Sequence, residues 1–129
     1  MTMQQLAERP RTASLEFEWE DVCSIDEVYP GTGVAALVDG DQIAIFRTRD
    51  GLLAALSNFD PFSHAFVLAR GIVGDRGGVP KIASPIYKQS FSLVTGECLD
   101  DPSVRLPIYP IRVCGARIQV ARGARKSTP

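Results

Sequence analysis

Apolar and polar positions in this chain change places every second residue far more often than every three to four. Leu15-Glu16-Phe17-Glu18-Trp19 alternates apolar with acidic side chains, the signature of a half-buried strand. Residues 34–38 form an apolar run that ends on Asp39-Gly40, a tight-turn pair. Residues 42–47, with apolar Ile43, Ala44, Ile45 and Phe46, return from that turn. A second pair, Asp50-Gly51, leads into a strand over residues 52–57. Three strands joined by tight turns predict an antiparallel meander. Farther on, residues 79–83 and 90–93 read as short strands, with a turn at 94–97. An extended passage bracketed by Pro102 and Pro107 then reaches a final hairpin, 108–113 and 117–121, which turns at Cys114-Gly115-Ala116.

Helical signals are nearly absent. Ser24-Ile25-Asp26-Glu27 has the spacing of a capping box, which predicts one short helical turn stopped by Pro30-Gly31-Thr32-Gly33. The pattern therefore predicts an all-β sandwich or small barrel with at most that one turn. Residues 15–121 make the domain. A polar leader over residues 1–14 and a basic tail over 122–129 are read as solvated ends. At 129 residues the chain fits one domain and is long enough to bury roughly two thirds of its unfolded surface.

Composition narrows the function. A net charge of −1 supplies no one-sided positive field for nucleic acid. No apolar run approaches the roughly 20 residues of a membrane span. The first ten residues lack the apolar core of a secretory signal, so the expected compartment is the cytoplasm. Cys23, Cys98 and Cys114 are widely spaced, which argues against a disulfide framework and for buried or half-buried thiols. Together with the single histidine, His64, they lack the close pairing of a structural zinc site. The glycine-rich piece 71–78 lacks the Gly-Lys-Ser/Thr ending of a phosphate loop, and its glycines are read as allowing a sharp turn near a backbone.

The candidate chemistry lies in two loops, Asn58-Phe59-Asp60-Pro61-Phe62-Ser63-His64 and Ser84-Pro85-Ile86-Tyr87-Lys88-Gln89-Ser90-Phe91, followed by Thr95-Gly96. With Pro107, Tyr109 and the Cys114-Gly115 hairpin, these motifs resemble those of the Rieske-type iron–sulfur domains. Members of that family carry Cys-x-His in one loop and Cys-Pro-x-His-Gly in the other. The resemblance covers Trp19 to Val120. On this alignment Asp60 and Ser84 stand at the cysteine positions, and Phe62 and Tyr87 at the histidine positions. A Rieske cluster takes two thiolates on one iron and two imidazoles on the other. This chain has one histidine, two residues beyond the expected place, and no cysteine in either loop. Asp60, Ser84 and Tyr87 offer hard oxygens, and Phe62 offers no donor. A Rieske-like fold without a cluster, and with no metal of its own, is what the resemblance implies.

Within that superfamily, residues 66–71, 74–81 and 83–89 are similar to the small subunit of assimilatory NAD(P)H-dependent nitrite reductase. That resemblance implies a small, non-catalytic subunit that assists the assembly or function of a large subunit. The large subunit of the family bears FAD, an iron–sulfur cluster and sirohaem, and reduces nitrite to ammonium in nitrate assimilation. Two readings of other classes stand beside it: a cluster-carrying ferredoxin, which needs bound iron, and a free-standing β-barrel module that binds a ligand or protein.

Individual residues carry further expectations. His64 and Ser63 as base and nucleophile lack an orienting carboxylate, and neighbouring side chains in an extended loop point apart, so His64 is read as packing in the loop or at the surface. Asp60, Ser84 and Tyr87 are expected to hydrogen-bond across the loop tips with Phe62 packed beneath, because two loops without a shared metal need another cross-link. Arg70, Arg76, Lys81 and Lys88 gather in and between the loops and are candidates for docking the large subunit.

Overall fold

In a computed structural model the structure describes residues 17–122. The expected leader, the start of the first expected strand and all but Arg122 of the expected tail lie outside the described residues. Among the described residues twelve strands succeed one another: β1 (Glu18–Ser24), β2 (Thr32–Val38), β3 (Asp41–Arg47), β4 (Leu53–Ser57), β5 (Phe59–Asp60), β6 (Ala65–Phe66), β7 (Ile72–Arg76), β8 (Val79–Ala83), β9 (Ser90–Ser92), β10 (Ile108–Tyr109), β11 (Ile111–Cys114) and β12 (Arg117–Arg122). The meander exists as predicted, with β2 paired to β3 and β3 to β4, and β10 added on the far side of β4. A second sheet, β1-β12-β11, is closed by the terminal hairpin. A third, β7-β8-β9, carries the second loop, and the short pair β5-β6 carries the first.

The central sheet is covered on both faces. Alternate side chains of β3 therefore enter different cores, and four consecutive residues, Ile43 to Phe46, are all buried. Ile43 and Ile45 join Val28, Val38, Ala55, Tyr109, Ile118 and Val120 beneath the β1-β12-β11 sheet. Ala44 and Phe46 join Leu56, Leu68, Ile82, Phe91, Leu93, Cys98 and Leu106 beneath the loop-bearing sheet. The second core supports the candidate site directly.

The predicted capping box is present: the Ser24 amide donates to Glu27 at 2.9 Å and the Asp26 amide donates to the Ser24 hydroxyl at 3.2 Å, starting a 3₁₀ turn over Ile25–Glu27. A second 3₁₀ turn, Leu68–Arg70, has no counterpart in the sequence pattern. It is fixed from outside, because Asn58 accepts the amide of Leu68 on its backbone carbonyl and that of Ala69 on its side chain. The glycine-rich piece is likewise more regular than a loop. Residues 72–76 form β7, which turns through Gly77 and Gly78 (φ 58° and 87°) into β8, although Gly74 and Asp75 are poor strand formers. Gly71 meets the close-approach expectation: a side chain there would run into the Ala83 carbonyl. Cys98 is buried and Cys23 half-buried, but Cys114 is exposed beside the last turn, against the expectation for it.

Candidate functional site

Both loops begin with the same local device. Asp60, at the end of β5, accepts the amide of Phe62 on Oδ1 at 2.9 Å, a turn in which a side chain caps the backbone two residues on. Ser84, just after β8, accepts the amide of Ile86 on its hydroxyl at 3.2 Å, the serine version of that turn. The first loop is then closed by the His64 amide on the Asp60 carbonyl at 2.7 Å, the second by the Ser84 amide on the Gln89 carbonyl at 2.9 Å. Each loop also holds one non-glycine residue with left-handed backbone, His64 at φ 61° and Lys88 at φ 67°.

A buried hydrogen bond joins the loops. The Ser84 hydroxyl donates to Asp60 Oδ2 at 2.6 Å, and the Ser63 hydroxyl donates to the same oxygen at 2.9 Å. Asp60 is fully buried and Ser84 nearly so. Burial pushes the Asp60 carboxyl up, but the bonds from Ser84, the Phe62 amide and Ser63 together outweigh it and hold the group below the ordinary aspartate value. Phe62 lies half-buried against the core, its ring 6.1 Å from that of Phe91.

Tyr87 departs from the expected arrangement. It is 60% exposed and makes no hydrogen bond to Asp60 or Ser84 among the described residues. The turn at Ser84 explains this: capping the Ile86 amide folds the chain back at Pro85-Ile86, so residues 86–88 project away from the buried carboxylate. His64 is exposed, with its ring on the edge of Phe59 at 6.0 Å, and pairs with no carboxylate among the described residues. The Ser63 hydroxyl, the nucleophile of that pairing, donates its proton to Asp60 instead.

The four cations separate. Arg76 pairs with Asp100 at 3.1 Å and donates to the Ser90 hydroxyl at 3.2 Å, while Asp100 accepts the Ser90 amide at 2.8 Å. That latch ties β7 to β9, and the Ser90 amide first, then Arg76 and the nearby charge of Lys81, keep the Asp100 carboxyl low against the opposing effect of burial. Lys81 is half-buried on β8. Arg70 and Lys88 are exposed and form no ion pair among the described residues.

Asn58 is the organising residue that the motifs do not single out. It is buried, its amide donates to the Gln42 carbonyl, and it accepts twice from the 3₁₀ turn. A polar residue closing an apolar strand directly before a loop was the available signal.

The donor set does not fit a two-iron cluster. The positions facing each other across the loops supply one carboxylate, one hydroxyl and one ring without a donor, while Tyr87 turns outward. The thiols are elsewhere: Cys98 is bridged to Phe91 in the core, Cys23 lies on β1 with its thiol pushed up by burial and then by Glu27, and Cys114 ends β11. Among the described residues no three His, Cys, Asp or Glu side chains gather as metal ligands would.

Comparison with known proteins places this geometry among relatives. Residues 18–121 match the family model described as a Rieske-like [2Fe-2S] domain. A nitrite reductase (NADH) small subunit from Salmonella typhimurium is 41% identical over 104 residues, 80% of this chain and 96% of that one. A crystal structure described as an NADH-dependent nitrite reductase small subunit from Mycobacterium tuberculosis superposes with a TM-score of 0.80 at 54% identity, covering 84% of this chain and 97% of that one. The chain is also 36% identical, over 102 residues (79% of its length), to 11% of a nitrite reductase [NAD(P)H] large subunit from Klebsiella oxytoca.

Proposed function

Since the chain belongs to the Rieske-like domain family and, within it, to the nitrite reductase small subunits, we propose that it serves as a cluster-free, non-catalytic subunit of a cytoplasmic NAD(P)H-dependent nitrite reductase. FAD, an iron–sulfur cluster and sirohaem, with the six-electron reduction of nitrite to ammonium, belong on this reading to the large subunit. The small chain assists its assembly or function. No helix of the described residues is long and apolar enough to cross a membrane.

One observation carries the cluster-free reading: the loops are already joined, at 2.6 Å, by a buried carboxylate and a hydroxyl. A buried anion with three hydrogen-bond donors is a satisfied group. It needs no metal to hold the loops together. Partnership is supported by the large-subunit relative, in which a segment like this chain is part of the reductase polypeptide. Of the cations first considered for docking, Arg70, Lys81 and Lys88 remain candidates, while Arg76 is committed to its latch.

Iron and sulfide analysis of the purified chain, with co-purification of its large partner, tests the proposal. A colourless protein with iron well below one atom per chain that captures the large subunit is expected. Stoichiometric iron and sulfide would establish the electron-carrier reading instead. Failure to capture any large subunit would leave the free-standing module.

A further inference from the structure

The second loop faces outward from a buried anchor. Ile86 and Tyr87 are 45% and 60% exposed and, alone among the exposed large apolar side chains of the described residues, stand at consecutive positions. They are not on a loose segment. Ser84 below them is buried and bonded to Asp60, its hydroxyl caps Ile86, and its amide is bonded to Gln89, so the loop is held from both ends. Lys88 comes next with left-handed backbone, φ 67°, where the Rieske pattern has a glycine that would adopt it freely. Lys88 thereby places an exposed cation directly beside the apolar pair. Arg70 adds a second: it precedes Gly71, whose backbone is pressed against the Ala83 carbonyl next to Ser84. The one carboxylate within these loops, Asp60, is buried and already bonded. Asp100, which accepts the Ser90 amide at the base of the second loop, is paired with Arg76, so Lys88 and Arg70 are the cations left without an ion pair among the described residues beside the apolar pair.

We propose that Ile86, Tyr87 and Lys88, with Arg70 at the edge, are the anchor by which this chain docks on the large subunit, entering an apolar recess bordered by carboxylates. This rests on the partnership proposed above and assigns its surface. Tyrosine at the centre of a rigid loop supplies large contact area at little conformational cost, and the surrounding cations match an acidic rim. The outward turn of Tyr87 and its lack of a hydrogen bond among the described residues leave the phenol free to bond a partner.

The test measures the affinity of the full-length small subunit for the separately purified large subunit, for wild type, Tyr87→Ala, Lys88→Glu, and Val113→Ser as a control. Val113 is exposed on β11, in the sheet that covers the other core. Thermal unfolding of each variant confirms that it is folded. Tyr87→Ala and Lys88→Glu are expected to weaken binding at least tenfold, with the Lys88→Glu effect shrinking as salt is raised, and Val113→Ser to stay within twofold of wild type. Wild-type binding with both loop variants within twofold of it would overturn the assignment while leaving the partnership intact. No wild-type binding at all would overturn the partnership and the assignment with it.

Discussion

Loop one and loop two are variations on one plan with opposite outcomes. Each opens with a side-chain oxygen that caps the amide two residues ahead, and each contains a non-glycine residue with left-handed backbone four residues after that oxygen. In the first loop the capping group is a carboxylate that is wholly buried, and Phe62 turns after it toward the core. In the second the capping group is buried, but Ile86, Tyr87 and Lys88 beyond it face solvent. One buried bond thus serves two purposes. The first loop supplies the acceptor that stabilises the pair, and the second uses the resulting rigidity to present a surface.

Breaking the inward half should have the largest effect. Asp60→Ala removes the acceptor for the Ser84 hydroxyl, the Ser63 hydroxyl and the Phe62 amide, leaving buried donors unpaired; a loss of about 2–4 kcal/mol is expected from urea unfolding. A loss below about 0.5 kcal/mol would mean that the bond does not hold the loops. Phe62→Ala comes next at about 1–3 kcal/mol, less than for a fully buried ring because Phe62 is only half-buried against Phe91.

Acid sharpens the same comparison. Because Asp60 titrates lower folded than unfolded, the unfolded chain binds its proton more readily. Its stabilising contribution is complete above the unfolded value of about 3.9 and is lost as pH falls through the lowered folded value. Asp50 and Asp100 are also held low, so the contribution of Asp60 is isolated by difference. The stability gap between wild type and Asp60→Asn, measured by unfolding at a series of pH values, should narrow as pH falls below about 4. A gap that stays constant down to about pH 2 would show that Asp60 is not the titrating group.

The outward half should hardly affect stability. Lys88→Gly relieves the left-handed backbone and is expected to raise stability by up to about 1 kcal/mol, offset in part by the greater freedom of glycine in the unfolded chain. Tyr87→Ala should stay within about 0.5 kcal/mol, as for an exposed side chain with no hydrogen bond among the described residues. A large loss from either would make the second loop part of the core and remove the contrast between the loops.

Most of the strand framework was legible in the alternation of residues because a period of two, interrupted by Asp-Gly pairs, allows few other arrangements. The meander, the terminal hairpin and the helical turn at Ser24 arise from contacts close in sequence, and so appear in it. The single histidine likewise shows, without coordinates, that the chain does not offer the two imidazoles a Rieske cluster takes. Strand β7, the two-residue pair β5-β6 and the 3₁₀ turn at Leu68 were not legible, because their pairing partners or the acceptors that hold them, not their own propensities, decide them. Nor could any pattern tell Tyr87 to turn out and Asp60 to turn in. Ser84 and Asp60 are 24 residues apart, and only their meeting across the folded core determines which side chains of each loop are left to face the solvent.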